Sequence, residues 1–192
     1  MEENSNIEQA STLPSKQNST LKEILDWVIA ILLAIVFAFV VRTYVFKLVL
    51  VEGPSMQPTL QSDDRLYVNR FFYTPKNGDI VVFKPESYPN TPFIKRVIAT
   101  EGQTVDINFE TGDVTVDGTV ISEPYIKDAT HLRGDMTFPQ IVPADHVFVM
   151  GDNRNNSKDS RRTEVGMVSK KEIIGHALFR FWPFDSFGAL NQ

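Results

Sequence analysis

The chain has 192 residues, of which 42% are apolar and 22% charged, and its formal net charge is -5. This composition suits one globular domain with additional segments, and it lacks the clustered basic residues that bind the phosphates of nucleic acids. The absence of cysteine excludes disulfides, cysteine–zinc sites and cysteine nucleophiles, and His131, His146 and His176 lack the spacing of a helical zinc site. We expect no metal, no cofactor and no nucleic-acid partner.

The N-terminal part of the chain changes abruptly from polar to apolar. Residues 1–23 begin with a stretch rich in Ser, Asn, Gln and Glu, which predicts a disordered tail because few apolar side chains are available to offset the entropy of ordering. Residues 24–41 read ILDWVIAILLAIVFAFVV, with Asp26 as the only charge. A helix of this length spans ~27 Å, close to the ~30 Å hydrocarbon core of a bilayer. We therefore predict a transmembrane helix over residues 24–41.

Two other interpretations of this apolar segment are open, and its orientation is not fixed by charge. A cleaved signal peptide would have a short basic leader, whereas the leader here is long and slightly acidic. A core helix of a soluble domain is disfavoured because the segment is apolar on every face. Lys16 and Lys22 on one side balance Arg42 and Lys47 on the other, so the excess of positive charge that marks the cytoplasmic side is missing.

Residues 42–192 are predicted to form a β-rich domain. The sequence DVTVDGTVIS alternates in polarity and carries Asp117-Gly118 between apolar residues, which is a strong hairpin signal. Short strands at close spacing predict a mainly β, antiparallel fold of sandwich or barrel type, and Glu164–Ile174 has room for one or two helical turns. The predicted strands are Leu48–Val51, Arg65–Asn69, Asp79–Lys84, Phe93–Thr100, Thr104–Ile107, Val114–Val116, Thr119–Val120, His146–Met150 and Gly175–Trp182.

The first of three chemically distinctive segments is G-P-S-M-Q-P-T, residues 53–59. Prolines on both sides of Ser55 stiffen the backbone, and Gly53 permits a positive φ or a close backbone approach. Such a backbone can hold a hydroxyl exposed with a neighbouring N–H pointing the same way, as a nucleophile with an oxyanion hole requires. An ordinary proline-rich turn is the alternative, and on chemistry alone it is the commoner outcome.

The second segment is F-I-K-R-V, residues 93–97, which places two cations inside an apolar strand. Because side chains alternate along a strand, Lys95 and Arg96 point to opposite faces, and we expect one of them to face inward. Burial lowers the pKa of a lysine, and a neutral lysine can act as a general base. The alternative is an edge strand whose two cations are solvated and oppose aggregation.

The third segment is G-D-N-R-N-N-S-K-D-S-R-R, residues 151–162, which is dense in turn formers and charges. Its aspartates and arginines can form bidentate pairs, and Ser157 and Ser160 add short hydroxyl side chains. A solvated loop and a cation-binding loop are the alternatives. Calcium binding of the EF-hand type is disfavoured because Lys158 stands where an oxygen ligand would be needed and the ligand spacing is absent.

Taken together, the three segments resemble the motif boxes of bacterial type I signal peptidases, also called leader peptidases, in their compact single-span form. The matching letters are S-M-x-P-T at 55–59, K-R-V at 95–97 and G-D-N-x-x-x-S-x-D-S-R at 151–161. The boxes follow one another in the family's order behind an apolar span, and the resemblance covers about residues 24 to 182. Three boxes in order are far more specific than any one of them.

The resemblance implies a role for each matching residue. Ser55 matches the nucleophile, Lys95 matches the general base, and Ser157 matches the hydroxyl that orients the lysine. The residues that match the supporting positions are Asp152, Asp159 and Arg161. Gly53 stands where some members of the family carry a serine that donates to the oxyanion, so here only a backbone group can donate from that position.

The resemblance also implies the substrate and the location of the enzyme. It predicts a serine endopeptidase that removes signal peptides from exported preproteins after small residues at the -1 and -3 positions. The N-terminal tail would be cytoplasmic, the enzyme would cross the cell membrane once, and residues 42–192 would be the extracytoplasmic catalytic domain. The expected partners are secretory preproteins and the lipid bilayer. The apolar residues that resemble the lining of the substrate pocket are Val49, Val51, Met56, Leu60, Phe93 and Ile94.

Two rival functions lie outside this prediction. A self-cleaving repressor also uses serine and lysine on a β fold, but it would carry a DNA-binding helix-turn-helix where this chain has an apolar span. A membrane-anchored β domain without enzymatic activity would need neither Ser55 nor Lys95. Alanine substitutions at these two positions distinguish it from a protease.

Overall fold

A computed structural model of the chain describes residues 17–40 and 46–190. The first element is a long helix, α1, over Gln17–Val40. The helix therefore begins earlier than predicted, and the expectation of disorder is wrong for residues 17–23, while residues 1–16 and Val41 lie outside the described ranges. Once a helix has nucleated, each added residue gains one hydrogen bond, so polar residues extend the apolar segment at little cost.

Helix α1 exposes its apolar side chains all round. The stretch from Thr20 to Val40 is 21 residues long, an 18-residue window of it has a mean hydropathy of 2.5, and none of its side chains is buried. The segment is long and apolar enough to cross a membrane. The alternative of a helix buried in a protein core is wrong, because such a helix would pack its apolar face against other elements.

The β domain contains twelve strands among the described residues, and every strand pairing is antiparallel. The strands are β1 Phe46–Leu50, β2 Arg65–Asn69, β3 Ile80–Phe83, β4 Phe93–Thr100, β5 Thr104–Asn108, β6 Asp113–Val116, β7 Thr119–Val120, β8 Gln140–Ile141, β9 His146–Met150, β10 Val168–Ser169, β11 Ile173–Trp182 and β12 Gly188–Ala189. The fold class is therefore as predicted: one N-terminal helix followed by a mainly β, antiparallel domain.

The strands form two sheets. The larger sheet has the order β1-β2-β11-β3-β4-β9-β10, with β12 paired to β11, and the smaller sheet has the order β7-β6-β5-β8. Strand β4 lies between β3 and β9, so it is interior to the larger sheet and not an edge strand. Its burial is nearly continuous, because apolar clusters cover both of its faces.

Local predictions for the domain are mostly confirmed. The predicted hairpin is present, with Asp117 at φ 51° and Gly118 at φ 79° between β6 and β7, as a two-residue type I′ turn requires. The suggestion of helical turns in Glu164–Ile174 is wrong, because this stretch contains isolated turns and strand β10. Gly166 has φ +59° there, which interrupts any right-handed helix.

Strands β8, β10 and β12 were not expected from the sequence. Each is two residues long, so none carries enough alternating residues to produce a strand pattern. Their existence depends on pairing with longer neighbours, namely β8 with β5, β10 with β9 and β12 with β11.

Candidate active site

Ser55 lies in the loop that follows β1, and the loop is held from two sides. Within the loop, the Gln57 N–H donates to the Pro54 carbonyl and the Leu60 N–H donates to the Met56 carbonyl. From the 151–162 loop, Asn153 donates its backbone N–H to the Ser55 carbonyl at 3.0 Å and its side-chain amide to the Pro54 carbonyl at 3.1 Å. The backbone around the Ser55 hydroxyl is therefore fixed, while the residue itself stays partly exposed.

Lys95 reaches Ser55 from the middle of strand β4. Its Nζ lies 2.8 Å from Ser55 Oγ and 2.8 Å from the carbonyl oxygen of Ile94, and the residue is only 4% exposed. Burial lowers the pKa of the Lys95 ammonium from 10.5 to about 8, although the negative charges of Asp159 and Asp152 act in the opposite direction. A substantial fraction of this lysine is therefore neutral at mildly alkaline pH, next to a hydroxyl that it can deprotonate.

Arg96 is buried as well, so the expectation that only one of the two neighbouring cations faces inward is wrong. Its guanidinium binds the Asp152 carboxylate with two hydrogen bonds, Nε to Oδ1 at 2.9 Å and Nη2 to Oδ2 at 2.7 Å. A third bond reaches the Gly78 carbonyl, and the guanidinium stacks over the Tyr125 ring at 3.9 Å. An interior strand can bury charges on both faces when each charge meets such partners.

The 151–162 loop is a buried polar network and not a solvated charge run. Asp159 pairs with Arg161 through Nε and Nη2, both at 2.8 Å, and accepts the Gly151 N–H at 3.0 Å. Burial alone would raise the pKa of the Asp159 carboxyl, but the bonds from Arg161 and Gly151, with the Ser157 hydroxyl nearby, hold it below its usual value. The aspartate therefore stays charged, and it contributes the negative charge that acts on Lys95.

Gly151 allows three backbone and side-chain groups to meet. A Cβ at this position would lie 2.3 Å from Ser157 Oγ and 2.4 Å from the Ser55 carbonyl oxygen, so no larger residue fits without displacing them. Ser157 Oγ is buried, and within residues 17–40 and 46–190 it has no hydrogen-bond partner of good geometry, although it is near enough to Asp159 to influence its pKa. The Ser157 hydroxyl thus lies near the backbone of Ser55 and is available for a hydrogen bond that it does not make here.

A groove of about 710 Å³ opens beside the Ser55–Lys95 pair. Five of the six predicted pocket residues line it: Val49, Val51, Met56, Phe93 and Ile94. Leu60 does not contact the groove but is fully buried behind it, packed in the same cluster as Val51 and Met56. Gly53 also lines the groove, with φ +82° and open space where a Cβ would stand.

The histidines lie away from this groove. His146, in β9, bonds to the Ala144 carbonyl at 2.8 Å, and His131 bonds to the Phe109 carbonyl at 3.1 Å. His176, in β11, stacks on the Tyr73 ring at 4.8 Å, and burial lowers its pKa. Within the described ranges, none of the three lines the groove beside Ser55, and no group of three metal-ligating side chains was found.

Three supporting contacts were missed from the sequence. Thr59 donates its hydroxyl to Asp152 Oδ2 at 2.5 Å, and Glu123 binds the buried guanidinium of Arg154. Lys158 bonds to Tyr88, and both residues line the groove. Thr59 could have been noticed as the last letter of the first motif, but the other partners are separated by tens of residues and carry no local signal.

Comparison with known proteins identifies the family. Residues 24–182 match the family described as signal peptidase, peptidase S26. Among curated relatives, signal peptidase I P of Bacillus subtilis subsp. natto is 40% identical over 88% of this chain and 95% of its own length. A probable signal peptidase I-1 of Synechocystis is 42% identical over 84% of each chain.

A crystal structure of a signal peptidase I from Enterococcus faecalis covers 54% of this chain and 97% of its own, with 27% identity and a TM-score of 0.43. The assignment rests on the sequence matches, which extend over most of the chain at 36–42% identity. The chain belongs to the signal peptidase family, peptidase S26, and is a hydrolase that removes signal peptides.

Proposed function

We propose that the enzyme is a serine endopeptidase in which Ser55 is the nucleophile and Lys95 the general base. The observation that carries the proposal is the 2.8 Å contact between Lys95 Nζ and Ser55 Oγ, made by a lysine that is 4% exposed. Nucleophile and base within hydrogen-bond reach are the first requirement of covalent catalysis by serine. The lowered pKa of Lys95, about 8, meets the second requirement, a base that is partly neutral near working pH.

The proposed reaction moves one proton through Lys95 in each of its two steps, acylation and deacylation. The neutral amine takes the Ser55 proton as Oγ attacks the scissile carbonyl carbon, and the resulting oxyanion accepts the Ser55 N–H and a second backbone donor near Gly53. The ammonium then gives the proton to the leaving amine as the peptide bond breaks, which leaves an acyl-enzyme. Lys95 next takes a proton from water as the oxygen of that water adds to the ester carbonyl. When the tetrahedral intermediate collapses, Lys95 returns this proton to Ser55 Oγ, which releases the acid and restores both Ser55 and the neutral lysine.

The supporting residues are proposed to hold the dyad in place. Asp159, fixed by Arg161, binds the Gly151 N–H and thereby the backbone that touches both Ser157 and Ser55. Asp152 links Arg96 beside the base to Thr59 beside the nucleophile. Ser157 Oγ, buried with free bonding capacity, is proposed to orient the lysine once substrate displaces the present contacts.

The groove is proposed to select small side chains at the -1 and -3 positions of the preprotein. Apolar side chains of Val51, Met56 and Ile94 line it, and all three are packed in the rigid core, so the walls do not yield to a larger group. An extended substrate can pair with the exposed backbone beside β1 and present alternate side chains to the same wall. Steric exclusion then distinguishes alanine from larger residues.

Helix α1 is proposed to anchor the enzyme in the cell membrane as a single span. Residues 1–23 would then be cytoplasmic, 24–41 would cross the bilayer, and 42–192 would form the extracytoplasmic catalytic domain. Because the substrate's own signal segment occupies the same bilayer, sharing that surface raises the effective concentration of cleavage sites around Ser55. The hydropathy and length of Thr20–Val40 support the anchor.

Orientation can be tested directly because the chain has no cysteine. We expect a cysteine introduced as Ser122→Cys, at an exposed position of the domain, to react with a membrane-impermeant maleimide in intact cells. The matched variant Ser11→Cys should react only after the cells are lysed. Labelling in the reverse pattern would place the domain in the cytoplasm and overturn the proposed orientation.

The catalytic roles are tested by cleavage of a purified preprotein with the full chain in detergent. We expect wild type to cut after an A-x-A site, and Ser55→Ala and Lys95→Ala each to lose at least about 10³-fold in kcat. Retained activity in Lys95→Ala would assign the base to another residue. Activity of the wild type should also rise about tenfold per pH unit below pH 8 and level off above it, because the base must be neutral.

A further inference from the structure

The loop between β3 and β4, residues 84–92, forms one side of the groove beside Ser55. Tyr88, Asn90, Thr91 and Pro92 line the groove together with residues 49–56. Most of the loop is exposed, and its internal hydrogen bonds are two turn contacts, from the Tyr88 N–H to Pro85 and from the Thr91 N–H to Tyr88. A loop with so few internal bonds needs outside contacts to keep one conformation, and Glu172 supplies two of them at the start of the loop, where it accepts the Lys84 and Glu86 N–H groups.

Tyr88 supplies such a contact through its hydroxyl. The Tyr88 hydroxyl donates to Glu164 Oε2 at 2.5 Å and accepts a bond from Lys158 Nζ at 2.8 Å. Lys158 and Glu164 complete a three-residue cluster with a 3.3 Å ion pair, and the ammonium lies 4.7 Å from the centre of the Tyr88 ring. We call this set, Tyr88, Lys158 and Glu164, the phenol cluster.

The charges of the phenol cluster favour its bonded state. The hydrogen bond from Tyr88, followed by the contacts with Lys158, holds the pKa of Glu164 below its usual range even though partial burial acts against it. The bonds to Tyr88 and Glu164 raise the pKa of Lys158. Both side chains are therefore fully charged at neutral pH, and each bond to the Tyr88 hydroxyl is charge-assisted.

The ring of Tyr88 connects the phenol cluster to the dyad. Its centre lies 5.2 Å from that of Phe93, and the Phe93 ring centre lies 5.4 Å from Lys95 Nζ. Phe93 also packs against Phe83, which is fully buried in the domain core. The Tyr88 ring thus packs against Phe93, whose position is fixed by the core. The Tyr88 hydroxyl, in turn, links the exposed loop by hydrogen bonds to Glu164 and to Lys158, the neighbour of Ser157.

We propose that Tyr88 is a positioning residue for substrate, and that the phenol cluster fixes the 84–92 loop as a preformed wall of the substrate groove. The inference rests on the proposed function, since it takes the groove beside Ser55 as the preprotein site. Loss of the cluster leaves the contacts between Lys95 and Ser55 in place, so the chemical step is unchanged. The loop must instead be ordered when substrate binds, and that entropy weakens binding.

The test compares Tyr88→Phe with Tyr73→Phe in the full chain, using a preprotein as substrate. Tyr73 is a matched control because its hydroxyl also donates to a carboxylate, Asp79 at 2.6 Å, but its side chain does not line the groove. We expect Tyr88→Phe to raise KM about two- to fivefold with kcat unchanged, the size typical of exposed ion-pair contacts. Tyr73→Phe should leave KM unchanged, whatever it does to thermal stability.

A second pair of variants separates the cluster from the ring. Glu164→Gln should also raise KM, and it should add little to Tyr88→Phe, because both act on one hydrogen bond: Tyr88→Phe removes its donor, and Glu164→Gln replaces its charged acceptor by a neutral one. Glu101→Gln is the control. Glu101 also pairs with a lysine, since its Oε2 lies 2.8 Å from Lys170 Nζ, but neither residue lines the groove. Hydrogen exchange should show faster exchange of the Tyr88 and Thr91 amides, which make the turn bonds of the loop, in both cluster variants and in neither control.

The outcomes distinguish this inference from the proposed function. If wild type cleaves and Ser55→Ala does not, but Tyr88→Phe and Glu164→Gln keep the wild-type KM, the positioning role is refuted while the dyad stands. A fall in kcat with KM unchanged would also refute it, since it would mean that the cluster acts on the chemical step. If wild type cuts no preprotein, the proposed function itself fails.

Discussion

Helix α1 and the β domain both depart from the usual burial pattern of soluble proteins, but in opposite ways: the helix exposes apolar side chains and the domain buries charged ones. The helix exposes large apolar side chains, for example Leu33 at 64% and Phe37 at 70%. The domain buries charged ones, with Arg96 at 1%, Arg154 at 0% and Asp159 at 0%. In ordinary soluble proteins, charged residues are almost never fully buried unless they are paired.

The two inversions have different physical causes. Apolar side chains on every face of a helix are stable only where hydrocarbon or protein replaces water, and those of Thr20–Val40 are not buried by any residue that the structure describes. Buried charges are stable only where fixed partners replace water, and the three buried guanidiniums, those of Arg96, Arg154 and Arg161, have them. The helix therefore depends on its medium, and the domain depends on its own hydrogen bonds. The predictions below test each dependence, in order of decreasing effect.

The largest effect is expected when charge is placed in the helix. We expect the double substitution Ile31→Asp and Leu33→Asp to release the chain from membranes during alkaline extraction, since each aspartate costs about 2.5–3.5 kcal/mol at the centre of a span. Ile141→Asp is the control, because Ile141 is equally exposed, at 67%, but lies in β8 of the domain. Equal retention of all three proteins would contradict membrane anchoring by α1.

Breaking a buried pair in the domain should have the next largest effect. Arg96→Met leaves the Asp152 carboxylate buried without its guanidinium, and we expect the free energy of unfolding to fall by about 3–5 kcal/mol. Denaturant titration of the full chain in detergent measures it. Arg133→Met serves as the comparison, because Arg133 is exposed and stacks on the face of Phe109, so its loss should cost under about 1 kcal/mol. A similar fall in the free energy of unfolding in both variants would mean that the buried Arg96–Asp152 pair is no more important for stability than an exposed arginine.

A methyl group at Gly151 should impair catalysis more than stability. The new Cβ of Gly151→Ala would displace Ser157 Oγ and the Ser55 carbonyl, and a shift of about 1 Å at a reacting group costs about 10²-fold in kcat. Gly188→Ala provides the reference, since a Cβ there meets nothing within 4 Å. Steady-state cleavage rates measure both variants, and wild-type kcat in Gly151→Ala would show that the close approach is not needed.

The smallest effect is expected from Lys95→Met, which should increase the free energy of unfolding at neutral pH. The pKa of Lys95 is about 8 in the folded chain and 10.5 as an ordinary lysine, so the unfolded chain binds more protons between these values, and stability rises with pH across that window. Below pH 8, keeping the buried Lys95 ammonium charged lowers the free energy of unfolding by the full amount, about 3 kcal/mol. Lys95→Met removes this cost together with two hydrogen bonds, so we expect the variant to be about 1–2 kcal/mol more stable than wild type at pH 7.

This gain should shrink and vanish as the pH approaches 10, where Lys95 is neutral in the folded wild type. Lys170→Met makes the same change at a partly exposed ion pair and should alter stability by less than about 1 kcal/mol at either pH. Thermal unfolding of the three proteins at both pH values provides the measurement. If Lys95→Met were less stable than wild type at pH 7, burying the charged lysine would not lower the stability of the folded protein, and the prediction would be wrong.

Local patterns in the sequence were enough for most of the fold. The apolar run of α1, the alternation in β2 and β6 and the Asp117-Gly118 turn each depend on neighbouring residues only, so they could be predicted. The start of α1 and the turns of Glu164–Ile174 were predicted wrongly. Their conformation depends on helix propagation from the apolar segment and on strand pairing with β9, which no local window contains.

Within the site, the three motifs identified Ser55, Lys95 and the 151–162 loop, because these residues are contiguous within each motif and the motifs resemble those of a family. The sequence did not reveal that Lys95 and Arg96 are both buried, since that requires β4 to lie between β3 and β9 with cover on both faces. Nor could it reveal that Leu60 packs behind the groove, or that Tyr88 meets Lys158 and Glu164. Contacts between residues far apart in sequence are decided by the tertiary fold, because only the packed strands and loops determine which side chains share a small, water-poor space.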